Sequence, residues 1–125
     1  MIVETGYILS GVISAGIVFI GLRFLLTPYP AAADFGVSVI RDERWDAFLS
    51  VKAIRDIASG LFIAILMLAR STHLLGWLML AAAIIPITDA AIVLNHGGTR
   101  AAAYGIHGLT AAVMLLISAF LLLGG

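Results

Sequence analysis

The hydropathy of the chain falls into four long apolar stretches separated by short polar ones, and the four are not alike. The first runs from about Thr5 to Leu26, free of charge as far as Leu22, with Arg23 near its end. The second is charge-free only from Ile57 to Ala69. A helix needs roughly 20 residues to cross a bilayer, so this one must extend back through Asp56, Arg55 and Lys52 towards Trp45. The third runs from Leu74 to Asn95 and carries Pro86 and Asp89 in its second half, and the fourth runs from Ala101 to Leu123 with Tyr104 and His107 near its start. The pattern predicts an all-α fold: an integral membrane, antiparallel bundle of four transmembrane helices, about 5–26, 45–69, 74–95 and 101–123, in a single domain covering 1–125.

The connections carry their own signals. Pro28-Tyr-Pro30 stops the first helix, Arg41-Asp-Glu-Arg44 marks water, and the apolar middle, Ala31 to Ile40, is expected as a short interfacial helix or a lid. Arg70-Ser-Thr-His73 is so short that the second and third helices must be antiparallel neighbours. Pro86 lacks an N–H and frees the carbonyl of Ala82, which predicts a kink. The opening residues Met-Ile-Val-Glu carry an acid and no base, unlike a signal peptide, so the first helix is read as retained.

Composition confirms the class and narrows the chemistry. With 62% hydrophobic and 11% charged residues, the chain belongs in the lipid bilayer, which is its first partner. A formal net charge of zero offers no surface to nucleic acid. The absence of cysteine removes disulfides, thiolate metal sites and cysteine nucleophiles.

Lys52, Arg55, Asp56, Ser59 and Gly60 share one helical stripe. At about 1.5 Å of rise per residue, Lys52, Asp89 and His107 each lie on the order of 10 Å inside the same side of the bilayer, with Arg55 and Asp56 deeper and Arg23 shallower. Six ionisable groups thus gather in one half, which predicts a cavity open to that side and closed below. Intramembrane charges are expensive and are functional candidates by default. Asp56 and Asp89 are expected to pair with Lys52, Arg55 or Arg23, leaving His107 as the spare titratable group. Two plainer readings stay open: salt bridges that only fix helix packing, or an interfacial turn with Lys52 and Arg55 snorkelling to the headgroups.

Arg23, Arg41, Arg44 and Arg100 fall on the cavity side and Arg70 on the other, which predicts a cytoplasmic cavity and both termini outside the plasma (inner) membrane. Trp45 and Tyr104 on one side, and Tyr7 and Trp77 on the other, suit aromatic belts.

The runs Val51-Lys-Ala-Ile-Arg-Asp-Ile-Ala-Ser-Gly60, Leu75-Gly-Trp77, Pro86-Ile-Thr-Asp89 and His107-Gly108 resemble the small membrane proteins of domain of unknown function 4267. The likeness covers most of the chain, from the Pro-Ala-Ala-Ala-Asp-Phe-Gly segment at Pro30 to the last helix. A wider likeness to DoxX-like four-helix membrane proteins rests on size and span count. The resemblance implies the segmentation and carries no activity with it.

Three functional classes follow. The first is a cavity that binds a small or amphipathic molecule, through Arg23, Lys52, Arg55, Asp56 and Tyr104. An anionic group is favoured there because Arg23, Lys52 and Arg55 outnumber Asp56 and Asp89; transport by so short a chain would call for a homodimer. The second is an enzyme on a lipophilic substrate, with Asp89, His107 and Asp56 as candidate acid and base and Arg55 steadying a developing anion. Isomerisation, cyclisation or epoxide opening would suit those groups. The third is a structural or accessory membrane subunit. No cofactor and no metal are expected: no His-x-x-His or Glu-x-x-His spacing exists, and His73 and His96 lie at helix ends, so haem lacks a second buried ligand.

Overall fold

The computed structural model describes residues 1–124, which form helices and connecting turns with no strand among them. In chain order these are α1 (Ile2–Leu26), α2 (Pro28–Phe35), α3 (Glu43–Leu68), α4 (Thr72–Asn95) and α5 (Arg100–Gly124). Helices α1, α4 and α5 are long and apolar enough to cross a membrane, as an integral membrane protein requires. Helix α3 is as long, but its first half carries Glu43, Arg44, Asp46, Lys52, Arg55 and Asp56.

Local chemistry sets the breaks. The backbone N–H and hydroxyl of Thr27 both donate to the Arg23 carbonyl, which ends α1. Pro28 then starts a new helix, because a missing N–H costs nothing in a first turn and the ring presets the helical φ. Gly36, at φ 113°, closes it in the left-handed conformation that favours glycine. The short helix expected over Ala31 to Ile40 is therefore shifted towards the chain start. The prolines that stop α1 also initiate α2, and residues 37–42 after Gly36 belong to no helix or strand.

Asp42 caps α3 by accepting the Arg44 backbone N–H at 2.8 Å, which satisfies one of the donors a first turn leaves free. Tyr29 Oη donates to Asp46 at 2.6 Å and accepts the Asp42 N–H at 3.0 Å, tying the start of α2 to that of α3. Helix α4 breaks at Ala83, three residues before Pro86, where the carbonyl of Ala82 loses its donor. In α5 the turn Ala103–Gly108 widens into a π-helix.

Two apolar clusters hold the bundle. Tyr7, Ile63, Leu75, Met79, Met114, Ile117 and Leu121 pack at the end where α1 and α4 begin and α3 and α5 finish. Phe24, Ala31, Ala32, Leu49 and Ala53 pack at the other end, with α2. Tyr7 is buried in the first cluster, with its hydroxyl 2.9 Å from Thr72 Oγ1 and Arg70 over its ring; it is not an interfacial belt residue. Trp45, Trp77 and Tyr104 are exposed.

The most extensive helix contact is α1 on α3. A Cβ on Gly21 would stand 2.8 Å from the Ala53 carbonyl, and one on Gly60 would stand 2.9 Å from that of Ser14, whose hydroxyl donates to Gly60 O at 2.7 Å. Small residues let the two backbones touch. Gly60→Ala is expected to cost about 1–3 kcal/mol despite alanine's better helix propensity. Gly16→Ala, with nothing within 4 Å of the new methyl, should leave stability unchanged or raise it. Thermal unfolding in detergent, followed by Trp45 and Trp77 fluorescence, separates the two. Acid should loosen the start of α3 as well. Its hydrogen bonds to Arg44 hold the Asp42 carboxylate below its ordinary 3.8, so the cap is intact above that value and is lost as pH falls through the lowered native one. Amide exchange at Arg44 as a function of pH reads this directly.

Candidate functional site

Between the two clusters lies a cavity of about 510 Å³ lined by all five helices. Its apolar floor is formed by Ile17, Ile63, Leu78 and Met114, and its polar end by Arg23, Asp34, Lys52, Asp56, Asp89 and His107. Helix α3 packs chiefly on α1 and α4 chiefly on α5; α3 and α4, though joined by a short turn, touch much less. Phe62 and Ile85, which line the cavity from α3 and α4, are 57% and 53% exposed, so the cavity opens between these two helices. Helix α2 contributes Ala31, Asp34 and Phe35 and covers part of the end where the opening was expected.

The charges are disposed in two pairs and a remainder. Lys52 Nζ donates to Asp56 Oδ2 at 2.7 Å, across one helical turn. The same ammonium stands 4.3 Å from the centre of the Phe24 ring and 4.7 Å from that of Phe35, close enough for cation–π attraction to both. Arg23 Nη1 meets Asp34 Oδ2 at 2.7 Å, joining α1 to α2. Asp89 was expected to find a cation as well. It has no salt-bridge or hydrogen-bond partner among the described residues, because Lys52 is satisfied by Asp56, Arg23 by Asp34, and Arg55 is exposed and outside the lining.

His107 is 6% exposed, and its Nε2 lies 2.8 Å from the carbonyl of Phe35, to which it must donate. The neutral ring then carries its free lone pair on Nδ1, which has no partner among the described residues. Its imidazole also packs on the Phe35 ring, with centroids 4.2 Å apart. Tyr104, expected on the same face one turn earlier, is 61% exposed and lies outside the cavity lining. The π-turn explains the divergence: i→i+5 bonding turns the chain through a smaller angle per residue, so positions three apart no longer stack. The hydroxyls of Ser59 and Thr110 reach the cavity but donate to carbonyls of their own helices, Arg55 and Ile106.

Asp34 and the two phenylalanines went unnoticed in the sequence. The signal for Asp34 was the Pro-Ala-Ala-Ala-Asp-Phe-Gly run itself, since a proline start and a glycine stop frame a short helix that carries the acid back to α1. Its inclusion changes the charge count. Among lining residues, Arg23 and Lys52 face Asp34, Asp56 and Asp89, so the excess of cations read from the sequence becomes an excess of carboxylates. No group of three or more His, Asp or Glu close enough to hold a metal ion exists among the described residues.

The family described as Domain of unknown function (DUF4267) matches residues 14–121, which include every residue of the polar end. The chain belongs to the DUF4267 family. No curated protein and no solved structure matches it. The DUF4267 assignment thus fixes kinship without supplying an activity, and the chemistry must be read from the cavity.

In this DUF4267 chain the hydrogen bond from His107 is one fastening of α2. Replacing His107 by Leu removes it and leaves the Phe35 carbonyl without that donor. A neutral hydrogen bond contributes about 0.5–1.5 kcal/mol, so amide exchange across Pro28–Phe35 should quicken by about 2- to 12-fold. Asp56→Asn should lower overall stability by about 1–2 kcal/mol, between the values for exposed and buried pairs, since both side chains are partly exposed. Thermal unfolding measures it, and an unchanged midpoint would show that the pair contributes nothing to stability.

Proposed function

We propose that the protein is a four-span membrane protein whose cavity binds a small or amphipathic molecule, for binding or for transport. Helix α3 is the fourth span on this reading. Its Lys52 and Asp56 cancel each other inside the bundle, and Arg55, exposed on the lipid side, reaches a headgroup by snorkelling. The observation that carries the reading is the cavity, with an apolar floor and ionisable groups concentrated at one end, the usual build of a small-molecule site. Arg41, Arg44 and Arg100 beyond that end favour a cytoplasmic orientation in the plasma membrane. Transport by a single chain of this size would call for a second copy to complete a pathway.

A lipid-phase enzyme is the second reading. It is favoured by one observation: Asp89 and His107 line the same cavity from neighbouring helices, the former with no partner among the described residues and the latter with Nδ1 free. An acid and a base so placed can move a proton on an isomerising or cyclising substrate. A purely structural role accounts for the two ion pairs and leaves Asp89 unexplained.

Native mass spectrometry of protein released from mild detergent tests the proposal. Wild type is expected to carry a defined small-molecule adduct and Asp89→Asn to lose it while staying folded. Bare protein in both samples would remove the support for a ligand site. Once an adduct is identified, conversion of it by wild type, abolished in Asp89→Asn and His107→Ala, would move the assignment to the enzyme.

A further inference from the structure

Counted with its side chains ionised, the cavity lining carries one more carboxylate than cation. Arg23 with Asp34, and Lys52 with Asp56, each close at 2.7 Å, and what remains facing the cavity is the Asp89 carboxylate. Both cations are already engaged: Lys52 by a carboxylate and two aromatic rings, and Arg23 by an ion pair that also fastens α2. An anion arriving here would have to share Arg23 or Lys52 with the carboxylate that each already holds, and would meet Asp89 besides. A cation would displace nothing.

The walls point the same way. Phe24 and Phe35 already hold an ammonium in the form of Lys52, and Phe19 and Phe62 add further aromatic side chains to the lining. The opening between α3 and α4 lies on an apolar flank edged by Phe62 and Ile85, so an occupant with a hydrocarbon part can arrive from the bilayer, chain against the floor.

We infer that the cavity selects a lipophilic amine: an amphiphile whose protonated nitrogen sits against Asp89 in a charge-assisted hydrogen bond while its hydrocarbon lies on Ile17, Leu78 and Met114. This rests on the cavity being a ligand site, as proposed above, and adds the sign of the ligand, reversing the anionic preference drawn from the sequence. His107 commits Nε2 to the Phe35 carbonyl and so is held in place at the same end of the cavity.

The test compares three probes of equal chain length, octylamine, octanoate and octanol, on the protein in nanodiscs of zwitterionic lipid at neutral pH. Unfolding is followed by Trp45 and Trp77 fluorescence. Octylamine at about ten times its dissociation constant should raise the midpoint by about 5 °C, with no shift from octanoate or octanol. The shift should vanish in Asp89→Asn and persist in Arg55→Gln, whose side chain lies outside the cavity lining. The wild-type comparison of the three probes stands even where Asp89→Asn fails to fold. If octanoate or octanol stabilises as well as octylamine does and Asp89→Asn abolishes that shift, the cavity is a ligand site and the amine preference is wrong. An octylamine shift that survives in folded Asp89→Asn overturns the inference by placing the amine elsewhere. No shift with any of the three overturns both the amine preference and, for amphiphiles, the ligand site itself.

Discussion

An ammonium group in an apolar bundle must be neutralised, and the way Lys52 is neutralised organises the cavity end of the molecule. Asp56 lies one turn on, so the pair forms within α3 and commits no other helix's carboxylate. The rest of the ammonium's surroundings come from Phe24 on α1 and Phe35 on α2, which draws both helices onto α3. Those two rings meet edge to face with centroids 6.0 Å apart, and Phe35 packs in turn on His107 of α5, an arrangement that suits the charge distribution of aromatic rings. One charge thus recruits side chains from three further helices.

Helix α2 exists because of that arrangement. Its eight residues are too few to hold a helix in isolation. It is kept by contacts at both ends: Tyr29 on the start of α3, Asp34 on Arg23, and the Phe35 carbonyl on His107. Buried Ala31 and Ala32 let its backbone lie close to Phe24 and Ala53. The π-turn in α5 serves the same end, turning His107 inward to that carbonyl while Tyr104 swings out to the exposed face.

Hydropathy made the helical class legible, since long apolar runs such as Ile2–Leu26 leave little else for the backbone to do in lipid. Helix period likewise put Asp56 within reach of Lys52, one of the three cations the sequence left open as its partner. What the sequence did not reveal was anything that depends on partners far apart in the chain. Asp34 passed unnoticed within an apolar segment, although Pro28 and Gly36 frame the helix that carries it to Arg23. Tyr7 looked interfacial because aromatic residues near span ends usually are, yet Thr72 and the core claim it. The preference for an anion came from counting Arg55, which a straight helical stripe puts beside Lys52. The buried line of α3 runs instead through Leu49, Ala53 and Gly60, and Arg55 falls on the outer face with exposed Val51 and Ile54.

Ion pairs that merely lock helix register would close the space around them. Here they border about 510 Å³. Measured penalties of about 24 cal/mol per Å³ put a dry, enclosed void of that size on the order of 10 kcal/mol, as much as the whole stability of an ordinary domain. Because the cavity opens between α3 and α4, it need not be dry, and water, lipid or a dedicated ligand can fill it. Lipid alone would ask for no charge, and a packing device would ask for no volume. Asp89 faces that volume with no partner among the described residues, while the cations lining it are already paired. Neither lipid filling nor helix packing calls for a carboxyl group at that point, and the amine inferred above would use it.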